Sequence, residues 1–142
     1  MNLTKVVLAA AFALGAAPAY AEGDVAEGEK LFAKRCKTCH MIADGDNVIL
    51  KGGKTGPNLY GVIGRTAGTS DFKYGKSLIA AGEAGLVWNT EELQGFIADP
   101  KKYLRTKLDD KKAKSKMSFK LKKEDQRADI AAYLATHGAA TN

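Results

Sequence analysis

The pentapeptide Cys36-Lys37-Thr38-Cys39-His40 contains both cysteines of this 142-residue chain and one of its two histidines. Two thiols at that separation, carried on one turn of backbone, can add to the two vinyl groups along one edge of a porphyrin. The histidine that follows then sits beneath the ring and offers an imidazole nitrogen to the iron. This is the pattern of a covalent attachment site for a c-type haem. Other uses of the pair fit less well. A thioredoxin-like redox pair belongs beside the strands of a βαβ unit, and no such runs occur. A disulfide closing so short a loop removes little chain entropy. Zinc takes four ligands, and the cysteines and histidines would have to supply all of them, with His137 near the chain end.

One histidine leaves the sixth position of the iron to be assigned, and that choice decides the chemistry. Met1 lies in an N-terminal leader, and Met41 adjoins His40 and cannot reach the opposite face of the ring. Met117 remains. A lone methionine ordinarily fills a core. This one stands in the lysine-rich stretch Lys116-Met117-Ser118-Phe119, with no helical stripe to join. A thioether ligand is soft, favours ferrous iron and raises the reduction potential. With both axial positions filled, oxygen and peroxide find no open site, and the iron exchanges single electrons. The alternative is a small haem enzyme or gas sensor with an open sixth site; carbon monoxide added to the reduced protein separates the two.

The leader comprises Lys5, an apolar run from Val6 to Ala17, Pro18 and Ala19-Tyr20-Ala21. It reads as a secretory signal peptide cut after Ala21, making residues 1–21 a removed leader and 22–142 one domain. The run is shorter than the about 20 residues a membrane span needs. Export to the periplasm suits haem attachment, which in bacteria takes place outside the cytoplasm. Retention of the leader would instead give a tethered domain feeding a neighbouring oxidase, and the mass of the mature protein decides. The formal charge is +6. No basic patch is interleaved with aromatics, so nucleic acid is excluded and an acidic protein surface is the expected partner. Gly53-Lys54-Thr55 resembles the end of a phosphate loop, but Val48 occupies the position of its first glycine, and that reading fails.

The elements that must position these residues are helical. Asp24 with Glu27 forms a capping box, and Val25, Gly28, Leu31 and Phe32 share one face of a helix that delivers Cys36. Gly28 costs about 1 kcal/mol inside a helix, a cost that close approach by another helix would explain. Seven glycines between residues 41 and 73 predict a long irregular loop folded over the porphyrin edge. Within it Gly56-Pro57-Asn58-Leu59 is a turn, and the Pro57 carbonyl is placed to accept the second N–H of the His40 imidazole. A short helix is predicted over 72–81 and a capping box at Asn89 and Glu92. Leu93, Phe96 and Ile97 then form a stripe, Asp99-Pro100 stops that helix, and 101–105 forms a short turn. The last helix is predicted over about 122–137, with Gly138 as terminator and His137 exposed at its end. Strand patterns and internal repeats are absent. The expected fold is all-α.

Taken together these residues resemble a class I cytochrome c, of the larger bacterial cytochrome c2 and c-550 type. The likeness runs from Gly23 to about Leu134. It is carried by Gly28 and Phe32, the Cys36–His40 motif, Lys54-Thr55-Gly56-Pro57-Asn58-Leu59, Arg65, Phe72-Lys73-Tyr74, Trp88, Asp99-Pro100-Lys101-Lys102-Tyr103, Lys116-Met117 and Tyr133. Extra residues after His40 and before Met117 separate it from the short mitochondrial members. The resemblance implies a fold in which the first and last helices cross, Gly28 and Phe32 meeting Tyr133. It implies that Tyr74 and Trp88 hydrogen-bond a haem propionate and that Arg65 partly neutralises it, where a core aromatic or a surface charge is the alternative. It also implies a departure: Phe96 stands where the family commonly has a tyrosine whose hydroxyl reaches the methionine sulfur.

The function so implied is a monomeric one-electron carrier with one covalent haem c, not an enzyme. Its implied donor is a membrane quinol–cytochrome c oxidoreductase, and its acceptor a photosynthetic reaction centre or a terminal oxidase. Lys37, Lys54, Lys101, Lys102, Lys114 and Lys116 would ring the exposed haem edge. They would steer an acidic partner into a brief contact below about 1,200 Å².

Overall fold

The computed structural model describes residues 22–138, so the predicted leader and its cleavage point lie outside the described residues. Five helices and one hairpin follow in order: α1 Val25–Arg35, β1 Ile42–Asp44, β2 Asn47–Leu50, α2 Lys76–Glu83, α3 Thr90–Ala98, α4 Pro100–Lys107 and α5 Glu124–Ala135. Among the described residues no helix is long and apolar enough to cross a membrane.

The core is organised by the packing of α1 against α5, with α3 against α5 and α4. Gly28 is the contact point: a Cβ there would lie 2.0 Å from the Asp129 carbonyl oxygen and 2.8 Å from Tyr133 Cβ. The awkward glycine is therefore a close-approach residue, as expected. One turn on, the ring of Phe32 meets that of Tyr133 with centroids 5.7 Å apart. Phe32, Ala131 and Leu104 are fully enclosed or nearly so.

Both predicted capping boxes close only halfway. The Asp24 carboxylate accepts from Glu27 N at 3.0 Å. Glu27 turns outward to Lys30, and Asp24 N donates to Asp129 Oδ1 at 2.7 Å instead. Asn89 likewise accepts from Glu92 N at 2.7 Å, while the Glu92 carboxylate is taken by Tyr103 Oη and Lys107 Nζ. In the first box a tertiary carboxylate takes the cap N–H and a lysine of the same helix takes the glutamate; in the second, two tertiary donors take the glutamate.

Three predictions are corrected. The 101–105 turn is a helix, α4, because Asp99-Pro100 both ends α3 and starts its successor: Pro100 sits in the first turn and Asp99 Oδ1 caps Lys102 N at 3.0 Å. The helix predicted over 72–81 is shifted to Lys76–Glu83, with Gly75 as its N-cap. The loop after His40 begins with an antiparallel hairpin in an otherwise all-α fold. Its turn uses Gly45 at φ +57°, as two-residue hairpin turns require. The sequence shows no alternation because β2 buries only Leu50, and that in part: Asn47, Val48 and Ile49 are all exposed.

Candidate haem-binding site

α1 ends by handing its last carbonyl bonds to the pentapeptide. Cys36 N and Lys37 N both donate to Phe32 O, at 2.9 and 3.0 Å, and His40 N donates to Cys36 O at 2.9 Å. The tight turn places Cys36 half-buried and Cys39 exposed, unjoined to each other. Burial pushes the Cys36 thiol up to about 11, so it is held as a neutral thiol.

The glycine-rich loop lies back over this turn. Gly53 N donates to Lys37 O at 2.9 Å and Gly56 N to Cys39 O at 2.8 Å. The Gly53-Lys54-Thr55 stretch, which imitates the end of a phosphate loop in sequence, is thus part of a backbone brace for the cysteine turn. Gly56 lies directly against the imidazole: a Cβ there would fall 2.3 Å from His40 Cε1. The turn that follows brings the Pro57 carbonyl to His40 Nδ1 at 2.8 Å, as expected. That bond makes Nδ1 the protonated nitrogen and leaves Nε2 with the lone pair. Burial lowers the pKa of His40, with the Pro57 bond opposing it in part, and the ring is held neutral as a metal ligand requires.

Asn58 is a keystone that appears in the sequence only as part of a turn. Its side chain accepts from Ala43 N and Tyr60 N, at 3.1 and 3.0 Å, and donates to Ala43 O at 2.8 Å. Its carbonyl accepts both terminal nitrogens of Arg65, at 3.3 and 3.1 Å. One asparagine therefore joins the hairpin, the Pro57 turn and Arg65. The only sequence signal is an Asn following Pro, which marks a turn but not its partners.

Arg65 and Trp88 reach the site together. An isolated antiparallel bridge between Thr66 and Val87 sets Trp88 N on Arg65 O at 2.9 Å. Burial depresses the Arg65 guanidinium, with Tyr74 opposing it. The Tyr74 hydroxyl shares a hydrogen bond with Ser70 Oγ. Trp88 is buried, edge-on to Phe96 at 5.1 Å and stacked on Tyr103 at 6.2 Å. Met117 is half-buried and packs against the core.

All of these groups converge. A mostly apolar cavity of about 470 Å³ is lined by Cys36, Cys39, His40, Arg65, Tyr74, Trp88, Phe96 and Met117 among others. Its size is that of a bound organic ligand. Its donor set — two thiols, an imidazole, a thioether, one guanidinium and two aromatic hydrogen-bonding groups — fits a covalent haem with two carboxylates. Phe119, with the Arg35 guanidinium 5.5 Å over its ring, closes the wall beside Met117 and was not singled out from sequence. Among the described residues no cluster of three or more His, Cys, Asp or Glu could hold a bare metal ion, which leaves the zinc alternative without a site.

His137 is corrected. It is half-buried, its ring packs edge-on against Tyr133 at 4.7 Å, and its carbonyl accepts Gly61 N at 2.8 Å. It braces the end of α5 and does not line the cavity.

Comparison with known proteins agrees with this geometry. The cytochrome c family model matches residues 25–138. The chain is similar to a cytochrome c-551 from Roseobacter denitrificans, 58% identical over 92% of this chain and 91% of the relative. It is also similar to a cytochrome c2 from Rhodobacter capsulatus, 53% identical over 96% of each. Among solved structures it matches ferric cytochrome c-550 from Paracoccus versutus with a TM-score of 0.76 and 48% identity, covering 82% of this chain and 98% of that one. Proteins of this group carry single electrons on covalently held haem c in the periplasm, between membrane redox complexes, and are not enzymes. The chain belongs to the cytochrome c family, within its bacterial c2 and c-550 group.

Proposed function

We propose that this periplasmic electron carrier holds its haem iron between His40 and Met117, with Tyr74, Trp88 and Arg65 turned to the propionates. The observation that carries the reading is the convergence of Cys36, Cys39, His40 and Met117 on one apolar cavity. When bound, the haem supplies a one-electron ferric–ferrous couple. The chain supplies the rest. Cys36 and Cys39 fix the porphyrin, and the Pro57 carbonyl orients the His40 ring. The cavity wall excludes water, which disfavours the extra positive charge of the ferric state and raises the potential.

The oxidised and reduced visible spectra test the ligand set. Ferric protein is expected to show the weak far-red band of iron bound to methionine sulfur, and Met117→Ala to lose it together with most of the potential. An unaltered spectrum and midpoint in Met117→Ala would remove Met117 as ligand. Carbon monoxide is expected to bind the reduced parent poorly and the variant readily.

The finer partner assignment follows the surface. Lys37, Lys54, Lys101, Lys102 and Lys114 are exposed and serve a monomer as its docking ring. Lys116 is less free, since its ammonium donates to the Lys73 carbonyl. The donor is a quinol–cytochrome c oxidoreductase and the acceptor a reaction centre or terminal oxidase. The bimolecular electron-transfer rate falls steeply with salt; a flat response to about 0.3 M would remove electrostatic steering. Residues 1–21 are removed on export, which the mass of the mature protein checks.

A further inference from the structure

The segment 114–121 carries Met117 along the cavity rim and belongs to no helix or strand. Among the described residues, its main chain is tied to another element's main chain by one bond, Leu121 N to Ile97 O at 2.8 Å. Most of its other attachments come from side chains. On one rim Lys116 Nζ donates to the Lys73 carbonyl at 2.6 Å, with its alkyl chain lying against Gly75, and Lys114 N donates to Ser77 Oγ at 3.0 Å. At the α3–α4 junction Lys120 Nζ meets Asp99 Oδ2 at 2.7 Å, and the other oxygen of the same carboxylate caps α4. Met117 lies between these two lysines, one residue from Lys116 and three from Lys120.

The geometry points to Lys116 and Lys120 as positioning residues that latch the Met117 segment to two separate parts of the fold, the stretch at Lys73 and the α3–α4 junction at Asp99, and hold the thioether on the iron. The inference rests on the reading of Met117 as the sixth ligand. A segment with few main-chain bonds and exposed neighbours opens at low free energy, and its population of open states depends on whatever anchors remain. A thioether favours ferrous iron, so the ferric state depends most on those anchors. Two exposed ammonium groups are thereby committed to partners within the protein, in a region whose sequence reads only as a solvated basic run.

The test uses ferric holoprotein and the rate at which imidazole enters the sixth position, with the far-red band and the midpoint potential as further readouts. Lys116→Ala and Lys120→Ala are each expected to raise the entry rate about two- to fivefold, the scale of an exposed charged contact. Together they raise it about tenfold, the two contacts sharing no partner. The band weakens and the midpoint falls in step. Lys120→Arg keeps the pairing and restores the parent rate. Asp99→Asn keeps the α4 cap but loses the charge; it reproduces Lys120→Ala and adds nothing to it. Lys122→Ala removes an equal charge nearby and leaves the rate unchanged.

Parent rates in both alanine variants, or an equal acceleration in Lys122→Ala, would overturn the latch. Met117→Ala is measured alongside. If it loses the band while the lysine variants behave as parent, the latch falls and the ligand reading stands. If it keeps the band, the ligand reading falls and takes the latch with it.

Discussion

The two faces of the cavity are built by different means. On the imidazole face, main chain holds main chain, Gly53 N on Lys37 O and Gly56 N on Cys39 O, and a main-chain carbonyl, that of Pro57, holds the ring at His40 Nδ1. Glycine allows the loop to touch the ring itself. On the thioether face, lysine side chains reach to a carbonyl and a carboxylate across open surface. The His40 ring is buried, and its bond to Pro57 has no water to replace it when broken, whereas exposed lysine contacts exchange with water at little cost. The histidine side should therefore be the fixed wall of the site, and the methionine side the one that yields first.

The largest expected effect breaks the fixed wall. Gly56→Ala places a methyl 2.3 Å from His40 Cε1. Either the loop or the imidazole must move, at about 1–3 kcal/mol or more. Holoprotein yield and thermal midpoint should both fall sharply; a normal protein would mean that the loop is as yielding as the opposite face. Next comes the double variant Lys116→Ala/Lys120→Ala, which should leave the thermal midpoint nearly unmoved while accelerating imidazole entry. Equal losses in both quantities would erase the contrast between the faces.

Phe96→Tyr adds a hydroxyl to the wall beside Met117, where Phe96 is buried against Trp88 and Tyr103. A polar group placed there must find a partner, and Met117 lines the same cavity. The midpoint potential should shift; an unshifted value places the hydroxyl elsewhere. Smallest is Glu92→Gln, remote from both faces. Hydrogen bonds from Lys107 and Tyr103 hold the Glu92 carboxyl below its usual range of about 4.5. Its contribution, below about 1 kcal/mol, is complete above that value and is lost as pH falls through the lower folded pKa. Parent and variant should differ at neutral pH and converge in acid. A constant gap would mean that the carboxylate contributes no charge-dependent stability.

What the sequence determined by itself was whatever rests on neighbours along the chain. The spacing of Cys36, Cys39 and His40 is a property of one backbone turn. The caps Asp24 and Asn89 and the stripe Leu93, Phe96 and Ile97 are properties of single helices. Met117 was reached by elimination, and Gly28 by its cost, since both are anomalies within their own segments. The half-closed caps depart from the local reading because their decisive partners, such as Asp129 for Asp24 and Tyr103 with Lys107 for Glu92, lie far away in the chain. The hairpin and α4 are local, but β2 leaves most of its side chains exposed and Asp99-Pro100 both ends one helix and starts the next, so neither shows a clear pattern.

Only the tertiary structure could decide that Asn58 joins three parts of the site, that His137 braces α5 against the loop at Gly61, and that Lys116 and Lys120 bond to Lys73 and Asp99. Lysine and asparagine are compatible with many surroundings, so their type carries no record of the contact they make. That contact exists only once Lys73, Asp99 and Arg65 have been brought beside them.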